Sequence, residues 1–226
     1  MSQQGPSTAK RRERRVVSFR LGAAALTITA GAALIGFELR SQSNPGRAIT
    51  PAAQFAGPAL PGNLRATPFS LDDQNGKRAT LAQYRGHVVV LTFMYSHSRD
   101  TSPLLATEIR GALNELPDDG RSVPVLAISV DPAHDTPSSA KAFVAREQLT
   151  GRMRFLRGRF TQLRPLWKQY AIQPEFNPSG RRYPYGYSAY VMLIDRRGFL
   201  QVGFPATQLV PEDLAHDLGL LLAGGG

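Results

Sequence analysis

The sequence predicts an α/β fold in which a central mixed sheet is flanked by helices. Apolar strand-like segments alternate with helix-like segments between residues 87 and 156, and such an order is typical of parallel strands joined by helical crossovers. Later, two apolar segments at residues 188–195 and 199–204 are joined by Arg196-Arg197-Gly198, which indicates an antiparallel hairpin. Apolar residues make up 42% of the chain, enough for a substantial core.

The predicted elements follow in a definite order. Asn75-Gly76 divides Phe69–Leu81 into two alternating runs and favours a hairpin with a type I′ turn, in which both central residues have positive φ. Ser102 and Thr136 each precede a proline and are therefore predicted helix N-caps. The remaining elements are strands at 87–95, 123–130 and 153–156, helices at 103–116, 137–149, 161–172 and 211–222, and the late hairpin. This order is that of a thioredoxin-like fold.

The first 61 residues are predicted to anchor the domain in the cell membrane. We divide the chain into a basic cytoplasmic segment (1–20), a transmembrane signal anchor (21–38), a flexible linker (39–61) and the thioredoxin-like domain (62–226). Lys and Arg residues are concentrated before the apolar run, so the N-terminus is predicted in the cytoplasm and the domain on the extracytoplasmic side. Two alternatives remain: a signal peptide cleaved near Pro51–Ala56, and a twin-arginine export signal at Arg14-Arg15.

Composition limits the chemistry. The chain contains no cysteine, which excludes disulfides, thiolate metal sites and cysteine nucleophiles. Its formal net charge is +10, which favours anionic neighbours such as lipid headgroups or acidic proteins. No signature of a nucleic-acid-binding module is found, so no nucleic acid partner is expected.

Four segments in order carry a resemblance to a known family. They are Tyr84-Arg85-Gly86, the strand and loop VVVLTFMYSHS from Val88, the pair Ser129–Pro132 and Asp135–Pro137, and Ser188–Tyr190 continuing to Leu193–Asp195. Over residues 65–222 the chain resembles the Sco/SenC family, thioredoxin-like copper chaperones for cytochrome c oxidase assembly. The resemblance implies the same fold and a place in the assembly of a respiratory membrane complex.

The chain departs from the family pattern at the metal ligands. Family members carry Cys-x-x-x-Cys and a distant histidine, whereas the matching positions here are Ser98, Ser102 and Tyr187. Cu(I) prefers soft donors, and hydroxyl groups that stay protonated near neutral pH are not such donors. Thiol–disulfide exchange also requires a thiolate. The first hypothesis is therefore a binding or assembly factor that is not an enzyme and needs no cofactor. Its partner would be a subunit of the respiratory complex or another assembly factor.

Two other hypotheses stay open. The second is a weak copper site built from Met94, His97 and His134, with Asp131 and Asp135 nearby. The third is an enzyme that uses Ser98 or Ser102 as a nucleophile, although no base is suitably placed in the sequence. For both of these hypotheses, the ordinary interpretation of the residues is structural.

A basic stretch suggests a docking surface. Arg152, Arg154, Arg157 and Arg159 lie close together in the sequence with few acidic residues between them. A solvated charged surface is the default interpretation. The more specific interpretation is a docking surface for an acidic partner or an anionic membrane. It predicts that binding weakens as the salt concentration rises.

Overall fold

A five-stranded mixed sheet lies at the centre of the structure. The computed structural model describes residues 55–117, 122–176 and 184–224, all within one unit that spans residues 49–226. The elements are β1 Ser70–Asp72, β2 Arg78–Thr80, β3 Val89–Met94, α1 Thr101–Glu115, β4 Val125–Ser129, α2 Pro137–Arg146, β5 Met153–Leu156, α3 Phe160–Gln169, β6 Glu175–Phe176, β7 Pro184–Gly186, β8 Tyr190–Ile194, β9 Leu200–Pro205 and α4 Pro211–Leu222.

Strand β3 is the central strand of this sheet. It runs parallel to β4 and antiparallel to β8, while β5 extends the parallel side and β9 the antiparallel side. All six β3 residues are buried, because helices or the β1–β2 hairpin cover both faces of the sheet. These observations confirm the predicted α/β thioredoxin-like architecture.

The side chains of β3 divide between two hydrophobic cores. Val90 and Met94 point to the core that contains the buried faces of α1, α2 and α4. Leu91 and Phe93 point to the core formed with α3 and the β1–β2 hairpin. Alternation along the strand thus gives one core to each face of the sheet.

The β1–β2 hairpin is present, but its turn differs from the predicted type I′ turn. Five residues, Asp73–Lys77, connect the strands, and only Gly76 among them has a positive φ, at +75°. The carboxylate of Asp73 accepts hydrogen bonds from the backbone N–H groups of Asn75 (2.8 Å) and Lys77 (2.9 Å). This side chain organises a longer turn, so the type I′ prediction was wrong.

Helix α1 begins earlier than predicted. Its N-cap is Asp100, whose carboxylate accepts from the Thr101 N–H, and Ser102 lies inside the first turn rather than at the cap. The prediction for Ser102 was therefore wrong. The prediction for Thr136 is confirmed, because its Oγ1 accepts from the Ser139 N–H at 3.1 Å. The short β6–β7 pair was not predicted.

Residues just before β1 form part of the fold. The carboxylate of Asp217, on α4, accepts hydrogen bonds from the N–H groups of Ala56 (2.7 Å) and Gly57 (3.0 Å). The chain then runs along β9, where Ala59 and Arg65 bridge to Val202 and Phe199. Residues 56–61, assigned to the linker from sequence, are thus hydrogen-bonded to the domain.

The predicted transmembrane segment, residues 21–38, lies outside the described residues, and it stays a prediction. Within the described ranges, no helix has the length and apolar character needed to cross a membrane.

Candidate functional site

Three chain segments meet at one end of the sheet. Because β3 is parallel to β4 and antiparallel to β8, the ends of β3 and β4 lie beside the start of β8. The loop after β3 carries residues 95–100, the loop after β4 carries residues 130–136, and residues 187–189 lead into β8. Loops at the carboxyl ends of parallel strands commonly carry the functional groups of α/β proteins.

The three predicted ligand positions lie together at this end, and we call Ser98, Ser102 and Tyr187 the hydroxyl cluster. The Ser102 N–H donates to Ser98 Oγ at 3.1 Å, and Ser102 Oγ lies in a hydrogen bond 3.3 Å from the Tyr187 hydroxyl. Ser98 Oγ in turn donates to Asp100 at 3.2 Å. The cluster therefore joins the start of α1 to a segment 85 residues further along the chain.

The cluster is tied into the backbone and into an aromatic contact. Ser102 Oγ accepts the Tyr95 N–H at 3.1 Å. The Tyr95 and Tyr187 rings meet edge to face, with centroids 6.0 Å apart. Burial raises the pKa of both the Tyr187 and Tyr95 hydroxyls above the ordinary tyrosine value. Both phenols are consequently protonated near neutral pH. Every atom of the cluster that could bind a metal is therefore a neutral oxygen.

This donor set does not fit Cu(I). A cuprous ion prefers thiolate, thioether or imidazole ligands, and the cluster offers neutral hydroxyl oxygens that already bond to one another or to neighbouring groups. Ser102 is fully buried, and Ser98 is 5% exposed with its hydroxyl bonded to Asp100 and to the Ser102 N–H. The burial gives no support to either serine as a nucleophile.

A second polar group lies beneath the same loops, and we call Ser96, Ser129, Asp135 and Ser139 the acid–serine network. Asp135 accepts from the Ser96 N–H (2.7 Å), from Ser96 Oγ (2.6 Å) and from Ser129 Oγ (2.5 Å). Ser139 Oγ lies 3.0 Å from Ser96 Oγ. Burial, with a smaller contribution from the nearby Asp131 charge, raises the pKa of Asp135. No pattern in the sequence indicates that Ser96 and Ser129 would both bond to this carboxylate.

The residues of the predicted weak copper site have separate environments. Met94 is fully buried in the core beneath α1. His97 Nδ1 lies 3.1 Å from Ser96 Oγ, and His134 Nδ1 lies 2.8 Å from the Asp131 carboxylate. Among the described residues, no three or more His, Cys, Asp or Glu side chains are grouped so that they could hold a metal. The geometry gives this hypothesis no support.

The predicted arginine docking surface is largely engaged within the chain. Arg154 donates to Asp73 (2.9 Å), to the Tyr84 hydroxyl (3.0 Å) and to two backbone carbonyls of the hairpin. Arg157 lies near the carbonyls of Asp135 and Asp73, and Arg152 donates to Asn114 at 2.7 Å. Arg159 alone among the four is exposed. Arg154 and Arg157 hold the hairpin and a loop, and Arg152 contacts α1, so the four side chains do not form one free surface.

The chain matches a known protein family and several individual proteins. The SCO1/SenC family model matches residues 59–223. The chain is 31% identical over 137 residues to the mitochondrial protein SCO2 of Saccharomyces cerevisiae, covering 58% of this chain and 44% of the yeast protein. It is 27% identical over 90 residues to the SCO1 homologue of Bacillus subtilis, covering 40% of this chain and 47% of that protein. The chain thus spans about half the length of these curated relatives.

Solved structures agree with the same assignment. The copper-bound ScoI structure of Bradyrhizobium japonicum has 28% identity and a TM-score of 0.61, and it covers 70% of this chain and 99% of that chain. The apo Sco1 structure of Thermus thermophilus has 22% identity and a TM-score of 0.62, with 74% and 97% coverage, and it supports the fold.

Proposed function

The chain belongs to the SCO1/SenC family, and we propose that it is a member without thiol or copper chemistry that acts as a membrane-anchored binding or assembly factor. Its partner in this proposal is a respiratory complex of the cytochrome c oxidase type, or another factor that assembles such a complex. The proposal includes the absence of enzymatic activity.

One observation supports the loss of copper chemistry more than any other. The hydroxyl cluster lies at one end of the sheet and is closed by internal hydrogen bonds, with Ser102 Oγ joined to Tyr187 and accepting from Tyr95. The surrounding fold matches the copper-bound relative over 99% of that chain. A fold kept without soft ligands favours a role in binding a protein partner.

The membrane part of the proposal rests on the sequence. The uncharged run over residues 21–37, preceded by a basic segment, supports a single anchor with the domain on the extracytoplasmic side. Alkaline carbonate extraction of the full chain from membranes tests this part. An anchored chain stays in the membrane pellet, whereas a cleaved chain is released.

Copper titration of the full-length protein tests the chemistry. The native chain is expected to leave Cu(I) with a competing chelator, because its hydroxyl oxygens are poor cuprous ligands. The triple variant Ser98→Cys, Ser102→Cys, Tyr187→His is expected to take one Cu(I) per chain. A variant with the same residue types at scattered exposed positions, Ser70→Cys, Ser138→Cys and Gln169→His, is the matched control.

Each result of the titration has a clear meaning. Tight stoichiometric Cu(I) on the native chain would overturn the proposal. A folded triple variant that gains no more copper than the control would contradict the placement of the hydroxyl cluster at the family's ligand positions. Labelling with a fluorophosphonate tests the serine-enzyme hypothesis, and no covalent label is expected.

Purification of the tagged full chain from membranes of its native host tests the partner. Subunits of an oxidase, or another assembly factor for it, are expected to co-purify under mild detergent. Recovery of the chain alone, after crosslinking as well as without it, would contradict an assembly role.

A further inference from the structure

The opposite end of the sheet carries a different kind of site. A cavity of about 180 Å³ lies where β3 begins and β8 ends, and Val89 and Ile194 from those paired strands form part of its floor. Ala66 and Leu81 continue the apolar surface. Three arginines line the same cavity, and we call it the arginine pocket after Arg65, Arg85 and Arg197.

The fold holds these arginines in place from three separate segments. The Ala66 N–H donates to the Gly198 carbonyl at 3.0 Å, which fixes the segment that carries Arg65 against the β8–β9 turn. The Gly86 N–H donates to the Arg196 carbonyl at 2.9 Å, which fixes the segment of Arg85 against the same turn. The backbone at the three positions is thus held by hydrogen bonds, which reduces the backbone entropy lost when a ligand binds.

The side chains of two of the arginines share one aromatic ring. The Arg65 guanidinium lies 4.4 Å from the centroid of Phe199, and that of Arg197 lies 5.7 Å from it. Such stacking keeps the guanidinium plane oriented while its N–H groups remain available for an anion.

The positive charge that lines the pocket is only partly neutralised by carboxylates. Its lining contains one carboxylate, Asp195, which pairs with Arg197 at 3.0 Å and also accepts from Gln201 and from the Phe199 N–H. Within the described part of the chain, no carboxylate forms an ion pair with Arg65 or Arg85. Two exposed guanidinium groups beside an apolar floor match a ligand that joins a phosphate to an apolar body.

From this arrangement we propose that the arginine pocket binds the headgroup of an anionic phospholipid. The guanidinium groups of Arg65 and Arg85 hold the phosphodiester, since arginine recognises phosphate through paired N–H donors. The apolar floor contacts the glycerol and the first methylenes of the acyl chains. Leu64, the residue before Arg65, is a large apolar side chain with 44% exposure and is available for contact with a lipid surface. The inference goes beyond the proposed function and does not rest on it, because it concerns neither the hydroxyl cluster nor the protein partner.

Binding of short-chain lipids to the full chain in uncharged detergent tests the pocket directly, whether or not the N-terminal anchor is present. Dihexanoyl phosphatidylglycerol is expected to bind with one equivalent, while dihexanoyl phosphatidylcholine and glycerol 3-phosphate bind far more weakly. Equal binding of glycerol 3-phosphate would overturn the lipid assignment in favour of a soluble phosphate. Equal binding of the choline lipid would show that the anionic charge is not recognised.

Matched variants separate the pocket from general surface charge. Arg65→Gln with Arg85→Gln is expected to weaken phosphatidylglycerol binding roughly thirty-fold, from the contribution of two cations near an anionic lipid. The control is Arg159→Gln with Arg164→Gln, which removes the same charge from exposed positions outside the pocket. Equal losses in the two double variants would overturn the proposal.

A third variant keeps the test valid if the double variant folds poorly. Ala82 is exposed and lines the pocket, so Ala82→Glu places a negative charge at the site without removing a packed side chain. Its binding of phosphatidylglycerol is expected to fall, with an unchanged circular dichroism spectrum. Full binding by a folded Ala82→Glu variant would contradict the proposal.

Discussion

The two ends of the sheet differ in whether their polar side chains bond within the protein or remain exposed. At the end that carries the hydroxyl cluster, buried serines, a carboxylate and a tyrosine are hydrogen-bonded to one another. At the end that carries the arginine pocket, Arg65 and Arg85 are exposed and form no ion pair with a described residue. The polar groups at the first end therefore stabilise the fold, while those at the second leave charge available for a ligand. Substitutions at the first should change the free energy of unfolding, and those at the second should change binding.

Asp135→Ala should give the largest effect on stability. The substitution leaves the buried Ser96 N–H and the Ser129 hydroxyl without their acceptor, and we expect a loss of about 3 kcal/mol. Urea denaturation measures the change. Asp72→Ala, which removes an exposed ion pair with Arg78, is the control and should cost less than about 1 kcal/mol. Equal losses would show that the network contributes nothing beyond a surface contact.

Ser102→Ala should have the next largest effect. The Tyr95 N–H loses its acceptor inside the protein and the Tyr187 hydroxyl loses a partner, so we expect a loss of about 2 kcal/mol in the free energy of unfolding. Ser138→Ala on the exposed surface of α2 is the control and should be nearly neutral. If Ser102→Ala unfolds at the same urea concentration as the native chain, the cluster is not a structural unit.

The pH dependence of stability should distinguish Asp135 from an ordinary carboxylate. Its pKa is raised in the fold, so the folded chain keeps a proton that the unfolded chain loses near pH 4. The stability that comes from this proton is present at acidic pH and is lost as the pH rises through the raised pKa. Asp135→Asn lacks the titration, so the native chain should lose more stability than the variant as the pH rises through this window. Parallel stability curves for the two proteins would contradict the assignment.

Arg85→Gln should have the smallest effect on stability. The side chain is exposed, and a surface substitution of this kind changes the free energy of unfolding by less than about 0.5 kcal/mol. Thermal unfolding without lipid measures this change. A large loss would mean that the arginine pocket is also a structural site, and the contrast between the two ends would disappear.

The strands and helices were predictable because their patterns are local. The apolar run of β3 and the spacing of α4 indicate buried elements without any knowledge of their neighbours. Ser102 shows the limit of such reasoning. A serine before a proline resembles an N-cap, yet Asp100 caps α1 and leaves Ser102 to bond with Tyr95 and Tyr187.

The parts that could not be predicted depend on contacts between distant segments. Arg154 resembles a surface cation in the sequence, but its guanidinium is held by Asp73, 81 residues earlier. Arg65, Arg85 and Arg197 meet only because backbone hydrogen bonds join their three segments. Nothing in the spacing of these residues indicates a shared pocket.

The segment from residue 56 to residue 65 affects the tendency of this protein to self-associate. It bridges to Val202 in β9 and to Phe199 just before that strand. At the far side of the sheet, the Gln74 side chain of the hairpin turn donates to the Met153 carbonyl (3.2 Å) and accepts from the Phe155 N–H (2.9 Å) of β5. Both outer strands are therefore covered, and uncovered outer strands are what permit sheets from different molecules to join. A protein shortened to begin at residue 62 would bare part of β9 and would be prone to self-association through that strand.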